Sequence, residues 1–209
     1  MTEPVTTARE NGRALRQRIV AAAVEMTSRS GWSTVTMARL AEVVGVSRQT
    51  VYNEIGTKTA LAEAMVLTEL GRFLSVVDHA FDRHPDDLIE SMRSAAQGVL
   101  ELAQDNTLLH AIVSATHGAG TDLLPLLTTH ADSLLATAKT VIASRLAMFA
   151  LPLDEHRLAV ATDVVVRVVL SHVMQPSDTP ARTAVDLAWV AHSILSPERL
   201  SEASISYNR

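Results

Sequence analysis

Cysteine is missing from the 209 residues, which excludes disulfides, thiol catalysis and Cys-ligated zinc; any metal would depend on the eight histidines and the carboxylates. Proline is missing between Pro4 and Pro85 and glycine after Gly120, so long stretches lack the residues that interrupt helices. Aromatic residues make up only 3% of the chain, leaving Leu, Val, Ala and Met to fill a core. No apolar run approaches the roughly 18 residues of a membrane span. Met1 to Ala23 carries Arg13, Arg16 and Arg18 where a secretory signal would be apolar, and the expected compartment is the cytoplasm. No histidine precedes His79.

What is present is enough for a core: 47% of residues are hydrophobic. Charge is divided unevenly. Residues 1–60 hold eight basic side chains against five acidic ones, a net of +3, so the remainder carries −8 of the total −5. Screening limits the reach of charge to about 8 to 10 Å, so a basic head on an acidic body can still meet a polyanion.

With little β-branched alternation, the chain reads as all-α. Leu15, Ile19, Ala22 and Met26 form one apolar stripe and predict a helix over 13–29 that Gly31 stops. Thr36 is placed to cap a second helix through Met37, Leu40, Ala41 and Val44, ended by Gly45, and Ser47 to cap a third. Longer helices follow: one marked by Val66, Leu70, Phe73, Val77 and Phe81, the next by Leu88, Met92, Ala95, Val99 and Leu102. A shorter one is expected near 107–117. After the break "GAGTDLLP" a long segment runs to Phe149, and two last helices cover 154–174 and 180–195, with Thr179 capping the latter. A boundary near 57/58 divides a three-helix head with a basic arm (Arg9, Arg13, Arg16) from a larger helical body over 58–209.

On a 100° wheel the third helix turns Val51 and Ile55 inward, while Arg48, Gln49, Thr50, Tyr52 and Asn53 face away. Arg, Asn and Gln match the donor and acceptor pairs of a major groove. Two short helices joined through Gly45 and Val46 fit a helix-turn-helix. Here the residues carry a resemblance: "GWSTVTMARLAEVVGVSRQTVYNEIGTKTAL", 31–61, is similar to the N-terminal domain of TetR-type transcriptional regulators. It includes Gly31 and Trp32, Thr36, Leu40 with Ala41, Gly45 with Val46, Tyr52 and Lys58. The resemblance implies a DNA-binding set of Thr36, Arg39, Ser47, Arg48, Gln49, Thr50, Tyr52, Asn53 and Lys58. Within it Thr36, Thr50, Tyr52 and Lys58, with Arg39, would hold phosphates, and Arg48, Gln49 and Asn53 would meet bases. After the tyrosine the family pattern is any residue, His or Tyr, then Phe, where this chain has Asn53, Glu54 and Ile55. Glu54, an acceptor when ionised, has three readings: it accepts from cytosine, it pairs with Arg48, Arg39 or Lys58, or it lowers nonspecific affinity.

The 158–174 segment is apolar around almost its whole circumference, and 185–195 adds the stripe Val185, Ala188, Trp189, His192 and Leu195. These imply a second subunit. The resemblance implies a homodimer through the last two helices, with Val165, Val168, His172, Val185, Trp189 and His192 at the interface, binding a palindromic operator. It also implies a chamber in the body, with candidate wall residues Leu102, Ile112, Val113, Leu127, Leu134, Met148, Phe149, Val169 and Met174. Taken alone, these stripes look the same in an ordinary core, which is the commoner outcome. Abundant Leu, Val and Met suit a flexible apolar guest such as a fatty acid or acyl thioester.

Arg167 could hold a carboxylate, although Asp163 four residues earlier favours an ion pair. Histidine spacing gives no metal site, and no cofactor is implied. An enzyme is not expected: there is no Gly-x-Ser-x-Gly, no third glycine after "GAG" at 118–120, and no apposed acid pair. The remaining alternative is a lipid-binding protein with a vestigial DNA-binding head.

Overall fold

The computed structural model of the chain describes residues 4–110 and 131–195. Every regular element among the described residues is helical. The chain divides into two compact units, Met1–Leu70 with Asn106–Ala131, and Gly71–Asp105 with Asp132–Arg209.

The first unit begins with α1 (Pro4–Ser30). Helix thus starts nine residues before the expected Arg13, and Arg9, Arg13 and Arg16 lie within it, not on an extended arm. Pro4 suits a first helical position because its missing N–H would find no intrahelical partner there. After Gly31 a single 3-10 turn, Trp32–Thr34, leads to α2 (Met37–Val44), capped by the Thr36 hydroxyl, which accepts from the Arg39 N–H at 3.2 Å. Gly45 ends α2 with φ 75° and ψ 40°, and the N–H groups of Gly45 and Val46 both donate to the Ala41 carbonyl at 3.0 Å. A Cβ in this left-handed conformation costs about 1 to 2 kcal/mol, so glycine is the residue that lets the turn be this short. Ser47 then caps α3 (Arg48–Ile55), accepting from the Thr50 N–H at 3.0 Å.

Val51 and Ile55 of α3 are buried in one core with Ile19, Leu40, Leu61 and Met65. Leu61 and Met65 come from α4 (Lys58–Arg83). The first unit therefore extends past the expected 57/58 boundary: its core takes in the opening turns of α4, and also Leu108. Asn106 secures that segment, donating to the buried Glu69 carboxylate at 2.7 Å and accepting from the Leu109 N–H at 2.8 Å.

The second unit holds the rest of α4, α5 (Leu88–Asp105), α6 (Ala131–Leu146), α7 (Glu155–Met174) and α8 (Pro180–Leu195). Asp87 caps α5 through the Glu90 N–H at 2.9 Å, and Asp154 caps α7 through the Arg157 N–H at 2.8 Å. Phe81 meets Phe149 edge-on, with centroids 6.1 Å apart at 66°, in a core with Val77, Val99 and Leu146. Two charge clusters tie helices together. Arg145 of α6 donates to Asp78 at 2.7 Å and Asp82 at 2.6 Å on α4. Asp163 of α7 accepts from Lys139 at 2.9 Å and Arg167 at 2.8 Å, and these two cations hold its carboxyl below the usual aspartate range.

Gly98 of α5 faces Val76 of α4: a Cβ there would lie 2.6 Å from Val76 Cγ1. Gly98→Ala gains about 1 kcal/mol of helix propensity but overpacks the contact, which costs about 1 to 3 kcal/mol. A lower urea midpoint is the expected result. A raised midpoint would show that the two helices are not this close in solution.

Candidate nucleic-acid interface

Helix α3 is held on its inner side by Val51 and Ile55, which leaves Arg48, Gln49, Tyr52 and Asn53 exposed. Gln49 Nε2 donates to Asn53 Oδ1 at 2.9 Å along this outward face. Thr50 is half-buried and its hydroxyl is paired with that of Ser47 at 2.8 Å. Around α3, Thr36 is exposed at the α2 cap, and Arg39 donates to the Thr34 carbonyl at 3.1 Å. Lys58 is half-buried: its ammonium donates to the Trp32 carbonyl at 3.2 Å and lies 4.7 Å from the centre of the Trp32 ring. All nine expected DNA-binding residues thus belong to α2, α3 and the start of α4 or to their caps, and several are already engaged with the head itself.

Two arginines whose partners sequence reading missed brace this unit from α1. Arg16 donates to the Glu54 carbonyl at 2.5 Å and Arg18 to the Val44 carbonyl at 2.8 Å. They satisfy carbonyls in the last turns of α3 and α2, which have no partner within the helix. Their place beside the apolar stripe of α1 was visible in the sequence, but nothing in the spacing specifies which distant carbonyl each would meet. The Glu54 carboxylate lies beside α1, with both oxygens 3.8 Å from where a Gly12 Cβ would stand.

In the second unit, Phe149 and Val169 pack against the core, and Leu102 and Leu134 are half-buried. Met148 and Met174 are instead 65% and 48% exposed, so these two do not line an interior. Ile112, Val113 and Leu127 lie outside the described residues. Along α8 the expected stripe divides: Ala188 and Leu195 turn inward with Ala184 and Ala191, whereas Val185, Trp189 and His192 face outward, Trp189 at 70% exposure. On α7, Val160, Val164, Leu170 and Met174 are exposed, Val165, Val168 and His172 half-buried. Arg167 is held by Asp163. No group of three or more metal-ligating side chains occurs among the described residues, and no described helix is long and apolar enough to cross a membrane.

Residues 19–65 match the family model for bacterial regulatory proteins of the tetR family, and residues 87–193 match that for the bacterial tetracyclin repressor C-terminal domain. The second alone spans half of the chain. The chain belongs to the TetR family. As a TetR-family transcriptional regulator it is not an enzyme. It is 28% identical over 175 residues to the HTH-type transcriptional regulator AlkX of Mycobacterium tuberculosis, covering 83% of this chain and 82% of that one. Among solved structures it is similar to the TetR-family repressor AlkX of a Dietzia species, implicated in biodegradation of n-alkanes, at 27% identity and a TM-score of 0.68, covering 86% of this chain and 94% of that chain. A TetR-family regulator of Mesorhizobium loti has the same fold at 16% identity and a TM-score of 0.62, covering 88% and 97% of the two chains.

In this TetR-family head, Lys58 has two roles open to it, since an ammonium has three donors and one meets Trp32. Lys58→Ala is expected to lower affinity for all duplexes alike, reduce the slope of log affinity against log salt by about one, and lower the melting temperature through loss of the Trp32 contact. Anisotropy titrations at several salt concentrations and a thermal melt check this; an unchanged slope would remove Lys58 from the phosphate contacts.

Proposed function

We propose that this regulator is a repressor that binds a palindromic operator as a homodimer and is released by a small apolar, long-chain effector. The observation that carries the DNA-binding part is the capped α3, with Val51 and Ile55 buried and Arg48, Gln49, Tyr52 and Asn53 outward. A groove-reading helix needs that arrangement. Arg39, Thr36, Thr50 and Lys58 supply phosphate contacts in this reading, and Ser47 orders the helix start.

A dimer is supported by the exposed apolar side chains of the last two helices: Val160, Val164 and Leu170 on α7, and Val185, Trp189 and Val190 on α8. Apolar surface of that extent marks an association face on a monomer. Two copies would present α3 to half-sites one helical turn, about 34 Å, apart. The effector class rests on composition and on the Dietzia relative's link to n-alkanes: a body filled by Leu, Val and Met with few aromatics suits an unbranched chain such as a fatty acid or acyl thioester. Release follows if the guest prefers a state in which the two heads no longer match the half-sites, and linkage makes the antagonism reciprocal.

Footprinting on DNA upstream of the chain's own gene, followed by anisotropy titration with fatty acids, their coenzyme A thioesters and n-alkanes, tests both parts. A protected palindrome released by one of these chains is the expected result. Retention with no protected sequence would sink the regulator reading; release only by planar aromatics would sink the effector class. Trp189→Glu is expected to shift the protein to a single-chain species in sedimentation while leaving its helical content unchanged, and to abolish operator binding at nanomolar protein. Full operator affinity in a single-chain variant would remove the dimer.

A further inference from the structure

The outward face of α3 carries two carboxamides one turn apart, and they are bonded to each other: Gln49 Nε2 to Asn53 Oδ1, 2.9 Å. Both residues are exposed, so water was available to each and the contact is not forced by burial. A lone Asn or Gln reads adenine by using its oxygen and its amino group together on one base. Here one amide's amino group and the other's oxygen are already joined. The bond leaves the Gln49 oxygen, an acceptor, and the Asn53 amino group, a donor, fully available, while the Gln49 amino group and the Asn53 oxygen each keep only one of their two sites. One helical turn separates them by about 5.4 Å, whereas successive base pairs rise about 3.4 Å, so the two free groups reach neighbouring base pairs more readily than one base.

We propose that Gln49 and Asn53 act as a single reading unit for a step of two adjacent base pairs, one offering an amino group to the Gln49 oxygen and the other an acceptor to the Asn53 amino group. This rests on the operator-binding reading above. In the major groove the amino groups belong to adenine N6 and cytosine N4, and the acceptors are purine N7, guanine O6 and thymine O4. The specified step therefore pairs adenine or cytosine with a neighbour read through its acceptor edge. Mutual bonding also orders two side chains before DNA arrives, so less rotamer freedom is lost on binding. Each amide becomes a positioning residue for the other: removing Gln49 frees Asn53 to swing, and removing Asn53 frees Gln49.

The test is a double-mutant cycle on the footprinted operator with the full-length protein: wild type, Gln49→Ala, Asn53→Ala and the double variant, each against every single base-pair substitution. Each single variant is expected to lose about 10-fold in affinity and to relax preference at the same two adjacent base pairs. The double variant is expected to lose about 10- to 30-fold, well short of the roughly 100-fold product of independent contacts. Removing the acceptor opposite Asn53, by a 7-deazapurine for N7, 2-aminopurine for guanine O6 or a thymine analogue lacking O4, should for one of these cost wild type about as much as Asn53→Ala and cost that variant nothing further. Losses that multiply, preferences that relax at two unshared positions, or singles that bind like wild type would each overturn the reading unit. If wild type discriminates at no base pair, operator recognition itself fails, and this inference with it. Alanine is the strongest helix former and both sites are exposed, so circular dichroism of the variants should match wild type.

Discussion

Everything the head presents depends on how α3 is rotated about its axis, and burial of Val51 and Ile55 sets that rotation. Side chains four apart share one face, and removing each from water is worth about 1.5 to 3 kcal/mol. Turning α3 by a single residue would expose both and bury Thr50 with Glu54 or Arg48 with Tyr52, so the alternative orientations are disfavoured by several times the thermal energy. The Ser47 cap, the left-handed Gly45 and the Arg16 bond to the Glu54 carbonyl then fix where the helix begins and ends. The chemistry available to DNA is what this constraint leaves outside.

That constraint also revises how the basic head is understood. Its formal excess of positive charge is partly committed within the fold: Arg16, Arg18, Arg39 and Lys58 each donate to a backbone carbonyl. Such bonds do not cancel the charge, which still acts over a Debye length, but they hold it in place. An acid on the reading helix is less paradoxical once its carboxylate is seen beside Gly12 of α1, turned toward the helix that braces α3. In the body, Arg145 and Asp163 hold α6 to α4 and α7 in the same manner, with partly exposed ion pairs that set helix placement more than they add stability.

The body helices follow a different rule, in which small side chains decide approach and large ones are left over. α8 packs its alanines inward on α5, which is itself rich in buried alanine, and Gly98 leaves room for the Val76 side chain of α4. Close-packed small faces leave little room for bulky residues, which is why Trp189 and Val185 remain on the outer side. The apolar excess of the last two helices is therefore a consequence of how they pack inside.

Local signals were sufficient for much of this. The caps Thr36, Ser47 and Thr179 and the break at Gly45 are short-range chemistry between residues three or four apart, and they were legible from residue type and spacing; so were the inward Val51 and Ile55 and the Asp163–Arg167 pair. The sequence by itself therefore determined an all-α chain with a helix-turn-helix head. What it left open were relations between residues far apart in the chain: that α1 begins at Pro4, that the head's core takes Leu61, Met65 and Leu108, that Arg16 and Arg18 brace distant carbonyls, and that Met148 and Met174 face out. Helical periodicity marks an apolar side without saying what will cover it, and only the tertiary structure, by bringing particular helices into contact, decides which of those sides become interior.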